Sequence, residues 1–147
     1  MELIYLRTFS FSAFFNEKKI EQMKSDASKL FDEATAKLNQ AKEETYRPKE
    51  DLVPQLVCKN SQFVIENYLK GYLFKNSINP QNYHTIDELI SKCKEINKRF
   101  EKVNLTALQC TSKDLETKVC TDSKIVCTCF DAAENFHDFL KKEKIID

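Results

Sequence analysis

Apolar residues recur at spacings of three and four along most of this chain, the periodicity of amphipathic helices. Ile20, Met23, Ala27, Leu30, Phe31, Ala34, Leu38 and Ala41 form one stripe, which predicts a helix over about 16–45. "YRPKED" interrupts it, and a second helix is expected to start near Asp51, with Pro54 in its first turn where a missing N–H is harmless. Leu52, Val53, Leu56, Val57, Phe63, Val64, Tyr68, Leu69, Tyr72 and Leu73 cover more than one stripe, so this helix is the expected centre of the fold. After the polar loop "KNSINPQNY", Thr85 and Glu88 have the spacing of a capping box, and Asp87 adds favourable charge near the helix N-terminus. Ile86, Leu89, Ile90, Cys93, Ile96, Phe100 and Val103 carry a third helix onward, to about 110 at most. The stretch 104–120 has no single reading. From about 122, Ile125, Val126, Cys129, Ala132, Ala133, Phe136, Phe139 and Leu140 define a last helix that ends in "KKEK".

Composition strengthens that picture. The 147 residues suit one domain, and a single glycine with three prolines leaves little material for tight turns. Alternating β-branched runs bounded by Asn-Gly or Asp-Gly are absent. The expected fold is all-α: an antiparallel up-and-down four-helix bundle with a short additional helix and an N-terminal apolar strap. Residues 1–15 make the strap and 16–147 the single bundle domain.

"MELIYLRTFSFSAFF" invites a signal-peptide reading, but Glu2 and Arg7 interrupt it and no small-x-small cleavage site follows before "NEKK". A strap packed on the bundle or on a partner is expected instead. Tyr5, Phe9, Phe11, Phe14 and Phe15 serve either the core or an exposed partner surface. With no apolar run of membrane-spanning length, no membrane association is expected and the cytoplasm is the expected location.

Charge narrows the functional classes. Lys+Arg and Asp+Glu balance at 23 each, so nothing suggests a global basic field for phosphate. Only Arg7, Arg47 and Arg99 supply guanidinium groups, so anion contacts would fall mainly to lysines. Six cysteines at 58, 93, 110, 120, 127 and 129 include no C-x-x-C pair and no histidine at zinc spacing. Reduced structural cysteines are expected, with a Cys110–Cys120 disulfide or a metal site as the alternatives. No metal or cofactor is called for.

Four residues around the second loop are the candidate ligand contacts. Glu66 and Lys70 stand four apart in the stabilising order of a helix ion pair, yet Lys70 beside Gly71 also suits a phosphate contact. Gly71, the one glycine, costs its helix stability and so marks close packing or ligand approach. His84 precedes the capping box; its ring either closes the loop or joins Lys70 in a groove at a helix N-terminus. His137, between Phe136 and Phe139, reads as a histidine at the border of the apolar face.

The order Glu66, Leu69-Lys70, Tyr72-Leu73-Phe74, Pro80, then His84-Thr-Ile86-Asp-Glu-Leu89-Ile90 resembles the HEPN domain family, with "LFDEATAKLNQAKEE" a looser match to that family's first helix. The resemblance covers about residues 25–100 and, more faintly, the last helix. It implies a helical bundle, often found beside minimal nucleotidyltransferases, whose catalytic members are metal-independent ribonucleases with an Arg followed, after four to six intervening residues, by a His near the start of the last helix. Here positions 130 to 132 before His137 are Phe, Asp and Ala, and positions 77 to 79 before His84 are Ser, Ile and Asn. No catalytic residue is therefore carried over. What the resemblance implies is a non-catalytic, homodimeric binding module that takes a nucleotide or RNA or works with a nucleotidyltransferase-type partner. The alternatives are a divergent ribonuclease or toxin using His137, and an unrelated helical bundle.

Overall fold

The computed structural model describes the backbone of residues 2–48, 50, 54–105 and 123–147, and the side chains of 16–48, 50, 56–105 and 128–147. Among these residues there are four α-helices and no strand: α1 (Glu2–Thr45), α2 (Pro54–Lys75), α3 (Ile86–Ile96) and α4 (Ser123–Lys142). Single 3-10 turns cover Pro80–Asn82 and Lys98–Lys102.

The first helix ends where the periodicity predicts but begins at Glu2, so the segment expected as a strap continues the α1 backbone. How residues 1–15 pack lies outside the described side chains. Helix α2 begins at Pro54, the first-turn position that tolerates proline. Helix α3 stops at Ile96 rather than near 110. Asn97 takes extended backbone angles, and its side chain accepts the Arg99 N–H, which starts the 3-10 turn and ends the helix. Residues 106–122, including Cys110 and Cys120, lie outside the described part.

Helix α2 is central, packed by α1, α3 and α4. Val57, Val64, Ile65, Tyr68, Leu69 and Leu73 are fully buried, and Asn60, Ser61, Gln62 and Asn67 are buried with them. Among the described stripe residues, Leu56 near the start of this helix stands exposed, as does Ile20 in the α1 stripe. Helix α1 crosses α2 antiparallel: Lys37 lies over Phe63, Thr35 meets Tyr68, and Phe31 lies against Gly71. Helix α4 runs parallel to α2, with Cys58 opposite Cys129, Tyr68 opposite His137, and Lys75 bonded to the carbonyl of Ile145. That relation is the one an up-and-down order imposes on its second and fourth helices.

An aromatic cluster ties the layers together. Phe100, from the turn after α3, lies 4.5 Å from Tyr72 with the rings tilted by 41° and meets Phe139 edge-on at 5.2 Å, while Phe136 meets Tyr68 edge-on. Cys58, Cys93 and Cys129 are buried thiols outside any disulfide. Burial pushes the Cys93 thiol up to about 12, and the contact with Cys129 followed by burial pushes Cys58 up as well, so all three act as small apolar core residues.

Helices α2 and α4 end alike. Ser77 and Lys144 adopt positive φ of 63° and 58°. In each case the next isoleucine returns its N–H to a carbonyl five residues back: Ile78 to Leu73 and Ile145 to Leu140, both at 2.9 Å. These are Schellman ends built without glycine, and Ile78 and Ile145 supply the apolar contact that holds them by packing on the core.

Candidate functional site

The structure does gather three of the residues singled out in the sequence. Glu66, Lys70 and His84 line one shallow pocket of about 440 Å³ with Phe74, Pro80 and Tyr83. Its charges are already matched. Lys70 Nζ lies 2.7 Å from Glu66 Oε1, a half-buried ion pair of the i, i+4 kind. The His84 ring is exposed, while its backbone N–H donates to Glu88 Oε2 at 2.7 Å, and Thr85 Oγ1 accepts the Glu88 N–H at 3.1 Å. This is the capping box of α3, displaced by one residue because the carboxylate reaches His84 rather than Thr85. Gly71 faces away, toward α1. A Cβ there would come within 2.6 Å of the Phe31 ring, so the glycine serves helix packing.

A larger groove of about 1050 Å³ opens between α1, α4 and the chain after α4. Its α1 wall runs from Lys24 to Asn39, about 22 Å at the helical rise per residue. Ala27, Ser28, Thr35 and Ala36 keep that wall low, and Ser28, Thr35 and Asn39 put hydroxyl and amide groups along it. Lys24 from α1, Lys75 from α2, Lys141 from α4 and Lys144 beyond it all line the cleft, against the acidic Asp32 and Asp147. Lys75 is engaged with the Ile145 carbonyl at 3.1 Å. Lys24, Lys141 and Lys144 form no ion pair among the described residues.

His137 lines the groove, held by a hydrogen-bond chain across three helices. Its Nδ1 lies 2.6 Å from the hydroxyl of Tyr68, which lies 2.8 Å from Thr35 Oγ1, and Thr35 donates to the Phe31 carbonyl at 2.9 Å. Each hydroxyl has one hydrogen to give. Because Thr35 spends its hydrogen on Phe31, Tyr68 donates to Thr35 and accepts from His137 Nδ1–H. Nε2 is left as the nitrogen without the proton. Burial holds the imidazole below its ordinary value, helped by the Lys141 ammonium and opposed by Asp138 and Glu134. Burial likewise raises the Tyr68 phenol, which stays a neutral hydroxyl.

Sequence alone does not show this constellation: it reads His137 as a histidine at the border of the apolar face and gives Lys24 and Lys141 no functional role. The one local hint was the four-residue spacing of His137 and Lys141, which puts both on one face of α4. The described residues contain no group of His, Cys, Asp and Glu able to hold a metal, and no helix of theirs is long and apolar enough to cross a membrane.

A family model of the HEPN domain aligns with residues 27–144, from Ala27 in α1 through the Schellman end of α4. Neither the curated proteins nor the solved structures searched give a match. The family model covers well over half of the sequence, including α1 from Ala27 onward, the other three helices and most of the groove lining: the chain belongs to the HEPN domain family.

Proposed function

We propose that this HEPN domain is a non-catalytic binding module that takes a phosphate-bearing ligand, a nucleotide or RNA, in the groove between α1 and α4. The observation that carries the reading is the convergence of four lysines from separate elements on one cleft in a chain with no net charge. Lysines gathered in a concave site raise the local anion concentration where the molecule as a whole does not. The extended, polar α1 wall suits a ligand with several phosphates better than one compact anion. Lys70 and His84 remain a secondary contact point, since the Glu66 carboxylate already neutralises Lys70.

The test is binding of a labelled oligouridylate to the full chain over a range of salt, with Lys24→Gln and Lys141→Gln variants. Each lost phosphate contact is expected to weaken binding and lower the salt slope by roughly one. Binding that ignores both substitutions, or no binding at low salt, would overturn the assignment.

A second reading has its own support. A histidine with unprotonated Nε2, oriented by a buried tyrosine, has the form of a general base in a divergent ribonuclease. None of Arg7, Arg47 and Arg99 precedes a histidine at the family's catalytic spacing, which favours binding over cleavage. RNA incubated with wild type and His137→Ala decides between them: degradation by the wild type alone would establish the enzyme.

A further inference from the structure

We propose that the lysine-lined groove binds its anionic ligand together with a proton, taken up at Nε2 of His137, so that occupancy of the groove is set by pH. The proposal rests on the phosphate-binding reading above and adds its regulation.

The geometry assigns the proton to one atom. Thr35 directs its hydrogen to the Phe31 carbonyl, and this fixes the direction of the whole chain, His137 Nδ1–H to Tyr68 to Thr35. That arrangement serves a neutral ring and an imidazolium equally well, because Nδ1 donates in both. Protonation at Nε2 therefore breaks no hydrogen bond and moves no buried group. With the opposite direction, Tyr68 would donate to Nδ1 and a proton arriving there would expel it.

The charges around the ring decide when the proton arrives. From α4, Lys141 opposes it, while Asp138 and Glu134 favour it. From α2 come the neutral Tyr68 and Lys75; from α1, Lys24 and Asp32; from the chain after α4, Lys144 and Asp147. In the empty groove, burial and Lys141 keep the ring neutral at pH 7. A phosphate held by the lysines adds negative charge beside Nε2 and favours the imidazolium. The bound-state pKa then lies above the free-state one. Affinity rises as pH falls through the bound-state value and levels off below the free-state value, by at most about tenfold per pH unit for one linked proton.

Calorimetric titration of the full chain with a short oligouridylate and with inorganic tripolyphosphate, between about pH 5 and 8, tests this directly. Buffers of different ionisation enthalpy count the protons taken up. The diesters of the oligouridylate do not titrate in this range, so any uptake with that probe belongs to the protein. The expected result is tighter binding toward low pH with uptake of up to one proton; His137→Gln loses the proton uptake, whereas His84→Gln keeps it even where the affinity falls. In the wild type, the His137 ring resonances followed by NMR should titrate at higher pH once the oligouridylate is bound, a readout that needs no variant. Binding that is lysine-dependent but flat with pH would overturn the proton linkage and leave the groove assignment standing. Dependence that follows His84 instead would also overturn it. If neither probe binds at any pH, the groove assignment falls along with it.

Discussion

Tyr68 shows how much one buried hydroxyl organises. It is fully buried on the central helix, yet its oxygen links α1 to α4 through Thr35 and His137. Tyr68→Phe keeps the ring contacts with Phe31 and Phe136 and removes only the oxygen. Two polar partners then lose their bond, although His137 and Thr35 retain some access to water from the groove. The expected loss is about 1–2 kcal/mol by denaturant unfolding. Loosening of the His137 ring should accompany it, seen as greater mobility of its NMR signals. The Arg99–Glu143 contact at 2.6 Å makes a useful contrast, with the Arg99 side chain exposed and that of Glu143 largely covered. Breaking it with Arg99→Ala should cost about 1 kcal/mol or less in the same assay, because water around the guanidinium screens the attraction and the long side chain regains its freedom.

Among the elements, the α1–α2 contact depends on residues that stay small. Ala27, Ala34 and Ala41 repeat every seven residues on the buried face of α1, and Gly71 of α2 receives the Phe31 ring of α1. On an isolated helix, Gly71→Ala would gain about 1 kcal/mol of propensity. Here the new Cβ would sit 2.6 Å and 2.8 Å from two ring carbons, so the ring or the helix must move. Net destabilisation of about 1–3 kcal/mol is expected, and Phe31→Leu in the same chain should recover part of it. Thermal or denaturant melts of the three variants check the sign. Because Phe31 also lines the lysine groove, Gly71→Ala should disturb ligand binding as well as stability, although Gly71 itself faces no ligand. The sequence marked this glycine for close packing or ligand approach; the structure assigns it to packing, with Phe31 as the link to the groove.

At the scale of the molecule, α1 outruns its neighbour. Its 44 residues extend about 66 Å against about 33 Å for the 22 of α2. Among its described side chains, residues 16–22 are exposed and the first buried one is Ala27. An overhanging helix of this kind accords with the homodimer that we propose for this HEPN domain, and with a nucleotidyltransferase-type protein as a further partner. Sedimentation velocity on the full chain should give a dimer, and deleting residues 1–15 should return a monomer whose melt is otherwise preserved. A wild-type monomer across the micromolar range would rule the homodimer out.

What was legible in the sequence is what short-range chemistry controls. Helical periodicity located all four helices, Pro54 and the Thr85–Glu88 box placed two N-termini, and the order from Glu66 to Ile90 pointed to the HEPN family. These signals survive because a helix and its caps are made by residues within a turn or two of one another. The end of α3 was misplaced, because Ile96, Phe100 and Val103 keep helical spacing while Asn97 redirects the backbone between them. Tertiary structure alone decided the lysine groove and the proton chain beneath it. Lys24 and Lys144 lie 120 positions apart and meet only because α4 runs antiparallel to α1. Thr35, Tyr68 and His137 sit on three different helices, and nothing local to any of them announces the other two. A lysine in a sequence looks like a solvated charge; a binding site appears only where packing brings several of them to the same cleft.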